Sequence, residues 1–159
     1  MKFEIPVPLK IGALVIGATL LYTYIGQLVP QKEVAAPEAT KFAAEMTPEE
    51  LAAAGVGLIE GKGQCMSCHT GVRAPEFDGI AERAGSRQPE FDALTYIARS
   101  MYYPNEFIVP GFNPGMTPIN KPPIDLNDQE ILAVIAYLQS LGGTSTVTLE
   151  TTLAELGVE

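Results

Sequence analysis

The chain has 159 residues, 47% of them hydrophobic, which suffices for one modest core plus an appendage and excludes two full domains. From residue 36 onward it carries 7 Lys/Arg and 17 Asp/Glu, a net charge of −10. This acidity excludes nucleic acid as a partner, because a phosphate backbone is repelled by it.

The first element is an apolar segment over residues 11–29, IGALVIGATLLYTYIGQLV, which contains no charged residue. As a helix it would be roughly 28 Å long, close to the thickness of a bilayer's hydrocarbon core. A cleaved signal peptide is the alternative, with Ala35-Ala36 as a processing site, but its apolar part usually spans only about 7–15 residues. We therefore predict an uncleaved transmembrane signal-anchor over residues 1–30, with membrane lipid as its partner.

The charges around this segment predict its orientation. Lys2 and Lys10 precede it and favour a cytoplasmic N-terminus, although Lys32 on the other side weakens the signal. We expect a single pass through the cell (inner) membrane with the rest of the chain on the periplasmic, extracytoplasmic side. Residues 31–46 are rich in Pro, Ala and charged side chains and predict a tether.

A helix is predicted to begin after Thr47. Thr47 as N-cap, Pro48 at the first helical position and Glu50 three residues after the cap form a capping-box pattern. The helix continues toward residue 65. Gly55 and Gly57 either allow another helix to approach closely or are ordinary small residues.

Both cysteines and the only histidine fall in one pentapeptide, Cys65-Met66-Ser67-Cys68-His69. The Cys-x-x-Cys-His pattern attaches a c-type haem, because two thiols three positions apart can add to the two vinyl groups and the next imidazole can reach the iron. We therefore predict one covalent haem c on Cys65 and Cys68, with His69 as an iron ligand. Such attachment occurs outside the cytoplasm, in agreement with the predicted anchor.

Other uses of these three residues are less favourable. A thioredoxin-like Cys-x-x-Cys needs a βαβ framework, and the flanking sequence lacks β-branched alternating runs. A structural zinc site takes four Cys or His ligands, whereas the chain offers three. A disulfide across two residues would constrain little of a chain this long.

Two further helices are predicted. Residues from Pro89 or Glu90 to Met101 place apolar side chains at helical spacing. Asn127 and Glu130 form another capping-box pattern before ILAVIAYLQSL, which stops at the glycine pair 142–143. Three helices around one haem predict a small all-α domain over residues 47–142.

The haem face opposite His69 either takes another donor or stays open, and methionine is the remaining soft donor because no second histidine exists. Met1 and Met46 lie outside the predicted domain, and Met66 is too close to the attachment thiols to reach the other haem face. Met101 falls on the apolar stripe of the second helix, which favours a core role. Met116, in the Pro- and Gly-containing loop FNPGMTPI, is therefore the predicted ligand, and its alternative is a gap-filling core methionine.

The C-terminal residues 143–159 have no strong period. Their composition predicts an extended Thr/Val segment followed by a short helical segment. Alone this tail should fray, so we expect neighbouring subunits to hold it together with the anchor and tether.

Residues 47–142 resemble a class I, monohaem cytochrome c. The resemblance is carried by CMSCHT, APEFDGIAERAG, the methionine loop FNPGMTPI and the terminal EILAVIAYLQSL. The second half of this region is similar to the cytochrome c domains of some oxidase subunits and to membrane-anchored cytochromes of respiratory complexes.

The resemblance implies roles for several further residues. It implies that the Pro75 carbonyl accepts the outer N–H of His69 and that Phe77 packs against the porphyrin. Tyr102, Tyr103 and Tyr137 would be haem-pocket aromatics or simple core packing. Leu58 and Ile59 stand where many relatives carry an aromatic residue in the first helix.

These features predict one-electron transfer, since His/Met ligation leaves iron no open position and no catalytic acid–base pair or nucleophile accompanies the haem. We expect a subunit of a respiratory or photosynthetic complex that connects a quinol-oxidising component to a terminal acceptor and docks on a basic surface. The alternatives are the electron-accepting cytochrome subunit of a periplasmic dehydrogenase, and a haem sensor or peroxidase if Met116 does not ligate.

Overall fold

The computed structural model describes residues 4–29 and 40–158. The chain divides into two units, residues 1–36 and 37–159, which are described separately. Lys2, the Ala35-Ala36 processing site and most of the predicted tether lie outside the described residues.

The first unit is one long helix, α1, which spans Val7–Leu28. None of its side chains is buried in the described structure, and by length and composition it could cross a membrane. The hydroxyls of Thr19 and Thr23 donate to the carbonyls of Val15 and Thr19 at 2.9 and 2.8 Å, which satisfies both groups within the helix. The helix begins four residues before the predicted apolar segment because the prolines around Val7 suit a helix N-terminus.

The second unit contains four α-helices and, among its described residues, no strand, so the predicted all-α class is confirmed. The helices are α2 (Pro48–Glu60), α3 (Ile80–Ala84), α4 (Ala93–Tyr102) and α5 (Asp128–Ser140), with 3₁₀ turns at Cys65–Ser67 and Leu153–Leu156. The sequence did not predict α3, because five residues are too few to show a helical period.

Both predicted capping boxes are present. The Thr47 hydroxyl accepts from the Glu50 amide at 3.2 Å, and the Glu50 carboxylate accepts from the Thr47 amide at 2.9 Å. Asn127 and Glu130 repeat this arrangement at 3.0 and 2.9 Å. These contacts satisfy amides that a helix start otherwise leaves unpaired.

The predicted start of the second helix at Pro89 or Glu90 is wrong. The carboxylate of Asp92 accepts from the Thr95 amide at 2.7 Å, so Asp92 is the N-cap and α4 begins at Ala93. The Asp92 cap determines where α4 begins, whereas the spacing of apolar residues had suggested an earlier start.

Helices α2 and α5 pack closely where Gly55 faces Ala133. A Cβ atom added at Gly55 would lie 2.1 Å from the Ala133 carbonyl oxygen, which no side chain tolerates. Gly57 has open space around it. Of the two roles considered for these glycines, close helix approach therefore applies to Gly55 and the small-residue role to Gly57.

The C-terminal tail packs on the domain rather than fraying. Val147 and Val158 are 1% exposed and Leu156 is 3% exposed, all within the same core as α4 and α5. The Gln139 side chain accepts from the Thr146 and Val147 amides at 3.2 and 3.3 Å. The tail is thus held by its own domain, through apolar side chains too widely spaced to show a period.

We predict that Gly55→Ala lowers the free energy of unfolding by about 1–3 kcal/mol, because the added methyl group overpacks the α2–α5 crossing. Gly57→Ala is the matched control in the same helix and should be neutral or more stable by up to about 1 kcal/mol. Guanidinium unfolding of the haem-loaded protein measures both, and equal midpoints for the two variants would contradict the crossing as described.

Candidate functional site

The pentapeptide follows α2 through a tight turn. Gln64 adopts a left-handed conformation (φ 49°), and the 3₁₀ turn Cys65–Ser67 begins directly after it. The amides of Cys68 and His69 both donate to the Cys65 carbonyl, at 3.1 and 3.0 Å. This winding places both free, half-buried thiols and the imidazole on the wall of one cavity.

The cavity has a volume of about 640 Å³, within the roughly 300–1,000 Å³ typical of cofactor and ligand sites. Its wall is built from the pentapeptide and the segment after it, α4, the loop that follows α4, and α5. It brings together all six residues predicted from the sequence, namely Cys65, Cys68, His69, Pro75, Phe77 and Met116.

His69 is held in a defined orientation. Its Nδ1 lies 2.8 Å from the Pro75 carbonyl oxygen, and its ring stacks on Phe77 with centroids 4.3 Å apart and planes 19° from parallel. A carbonyl only accepts, so Nδ1 donates and the lone pair of Nε2 stays free. Burial lowers the pKa of His69, and the bond to Pro75 partly opposes that shift. The result is a neutral, fixed imidazole, the form that ligates metal.

Two methionines line the cavity. Met116 is half-buried in the loop after α4, and Met101 is 5% exposed on α4. The core position predicted for Met101 is therefore present, but elimination from the sequence did not show that the same side chain borders the cavity. The apolar stripe of a helix identifies a buried face without saying which cavity that face borders.

Three tyrosines were considered either for the haem pocket or for simple core packing, and the pocket role does not apply to them. Tyr102, Tyr103 and Tyr137 do not line the cavity, whereas Tyr96 does. Tyr102 is buried in the core, where desolvation raises its pKa to about 12, and Tyr137 lies along a separate groove. Tyr96 lies one turn before Ser100 on the cavity-facing side of α4, and the sequence carried no signal that identified this side as facing the cavity.

Cationic side chains line this cavity in an otherwise acidic chain. Lys62, Arg73 and Arg87 are in its wall, with Glu76 as the acidic member. Lys62 contacts the buried Glu130 at 2.7 Å, whereas Arg73 and Arg87 have no ion pair within residues 4–29 and 40–158. The wall therefore offers uncompensated positive charge to an anionic group.

The donor set fits a haem c. The two cysteines suit its vinyl groups, His69 suits its iron, and the guanidinium groups suit its carboxylates. When bound, haem supplies reversible one-electron chemistry at its iron.

Comparison with protein-family models gives the same identification. The Cytochrome c family model matches residues 52–142, more than half of the chain. The chain belongs to the cytochrome c family, whose members bind haem c covalently and transfer electrons. A search of curated proteins found no match.

We predict that the double variant Cys65→Ser, Cys68→Ser loses covalent haem entirely, because no other thiol exists in the chain. Haem staining after denaturing electrophoresis, normalised to immunoblot signal, measures this loss. The control is Ser67→Ala, which alters an exposed hydroxyl of the same turn and should keep full staining. Staining of the double variant at the control's level would contradict the assignment.

Proposed function

We propose that the protein is a membrane-anchored monohaem cytochrome c that carries single electrons and acts through His69 and Met116 as axial ligands. The observation that carries the proposal is the single cavity wall that holds both thiols, the fixed imidazole and Met116. The chain has two cysteines in one attachment motif, which supports one haem.

The chemistry of the two proposed ligands favours transfer over catalysis. His69 is neutral and fixed by Pro75, and Met116 offers a soft thioether that favours ferrous iron. Together they would occupy both axial positions and leave none for oxygen or peroxide. Phe77 stacks on one face of the imidazole and shields that face from water.

The membrane anchor is proposed from α1. Its 22 residues are long and apolar enough to span a bilayer, and its side chains have no partner within the described part of its own unit. A signal sequence meets the same description, and the length of the apolar run is the argument for retention. Retention would hold the haem domain at the outer face of the inner membrane.

The partners are proposed from charge and placement. The region after residue 36 carries a net charge of −10, which favours docking on a basic surface and a rate that falls with salt. We propose that the protein is a subunit of a respiratory or photosynthetic complex and connects a quinol-oxidising component to a terminal acceptor.

We predict that Met116→Ala abolishes the Met-to-iron charge-transfer band of the ferric protein. The same change should lower the reduction potential by roughly 0.1 V or more, since axial ligands set potentials over a range of about 0.8 V. Met101→Leu and Met66→Leu are the matched controls and should keep the band. A band that survives Met116→Ala and disappears with Met101→Leu would assign the ligand to α4 instead.

We predict that native membranes retain the haem-stained protein after high salt and carbonate washes and release it only with detergent. A variant that lacks residues 7–28 and is exported by a cleavable signal peptide should give a soluble haem domain, because the apolar helix is lost. Protein that keeps α1 should have an N-terminus upstream of residue 7 by mass spectrometry. A soluble mature form that begins near residue 36 would contradict the anchor.

A further inference from the structure

We infer that Arg99 is a positioning residue that, with the C-terminal tail, fixes the loop carrying Met116. The inference rests on the proposed function, in which Met116 ligates iron. We call the contacts of Arg99 with Glu106 and Gly157 the tail latch.

The Arg99 guanidinium contacts a carboxylate, a backbone carbonyl and two aromatic rings. Its Nε donates to Oε2 of Glu106 at 3.0 Å and its Nη2 donates to the other oxygen of the same carboxylate. Its Nη1 donates to the Gly157 carbonyl at 2.8 Å. The guanidinium also lies over the rings of Phe91 and Tyr103, 4.7 and 5.2 Å from their centroids. A planar fork with these contacts holds a fixed orientation that lysine cannot reproduce.

Glu106 belongs to the loop that leads to Met116. Directly after it, Phe107 and the next two residues enter the cavity wall. At the far end of the loop, the Ile119 amide donates to the Met101 carbonyl at 3.2 Å. The far end of the loop is thus fastened to α4 by the backbone. The near end is fastened by the Arg99 side chain and by a backbone bond from the Glu106 amide to the Tyr103 carbonyl at 2.9 Å.

The middle of this loop has few restraints of its own. Gly111, Asn113 and Gly115 are exposed, and Gly111 has a left-handed φ of 94°. Phe107 and Met116 also pack against the core, and the Phe107 ring meets that of Tyr96 edge-on at 6.1 Å. The position of Met116 therefore depends on this packing together with the two fastened ends. Arg99 does not line the cavity, so it acts on Met116 through Glu106.

The C-terminal tail, which lies outside the residues matched by the family model, supplies the other half of the tail latch. A capping box between Thr152 and Glu155, at 3.1 and 3.4 Å, starts the 3₁₀ turn. Gly157 then takes a left-handed φ of 69°, and its carbonyl accepts from Arg99. The buried side chains of Leu156 and Val158 flank it and hold it in place. The tail lies beyond residue 142, where the family match ends.

The test measures how readily imidazole displaces Met116 in the ferric, full-length haem protein. Arg99→Gln should raise the apparent affinity for imidazole by about tenfold and weaken the Met-to-iron band, because charged hydrogen bonds to the loop are lost. Removal of residues 144–159 should shift the affinity in the same direction. The two changes combined should shift it by less than the product of the single effects, because they break one latch.

The controls separate positioning from general stability. Lys41→Gln removes an exposed positive charge elsewhere and should leave the affinity unchanged. Arg99→Lys keeps the charge without the fork and should fall between wild type and Arg99→Gln. If the truncated chain does not fold, the point variants alone decide the outcome.

Two results would overturn the inference, and they are distinguishable. Imidazole affinity within twofold of wild type in Arg99→Gln, even with a lower unfolding temperature, would show that Arg99 is only structural. Absence of the Met-to-iron band in the wild-type protein would refute the proposed ligation itself and the latch with it.

Discussion

The close crossing of α2 and α5 is the contact on which the rest of the domain depends. Gly55 lets the Ala133 carbonyl approach where any Cβ would collide. The pentapeptide follows directly from the end of α2, and α5 supplies part of the cavity wall. The Lys62–Glu130 ion pair joins the same two regions a few residues before Cys65. The position of the thiols and His69 is therefore set by helix packing rather than by the motif alone.

The site is assembled from contacts of different kinds. The backbone bonds to the Cys65 carbonyl wind the attachment turn, and the Pro75 carbonyl fixes the imidazole. Met116, by contrast, comes from a loop with exposed glycines that is fastened to α4 at its two ends. One proposed axial ligand is thus rigidly held and the other depends on more distant contacts.

Local signals in the sequence predicted local structure well. The capping patterns at Thr47 and Asn127 and the Cys-x-x-Cys-His turn each involve neighbouring residues, so spacing alone reveals them. The start of α4 at Ala93 was mispredicted, and the short α3 and the packing of Val147 and Val158 were missed. The start of α4 depends on the Asp92 cap, which the apolar period does not reveal. Helix α3 is too short to show a period, and the packing of the two valines depends on long-range burial. The cavity-facing positions of Tyr96 and Met101 depend on the same long-range packing.

The proposed function depends on iron that is held between His69 and a methionine sulfur. X-ray absorption at the iron edge of the purified, oxidised wild-type protein tests it most directly, because it reads the ligand atoms without any substitution. We expect six-coordinate iron with five nitrogen neighbours and one sulfur neighbour. Five-coordinate iron, or six light-atom ligands with no sulfur, would contradict it.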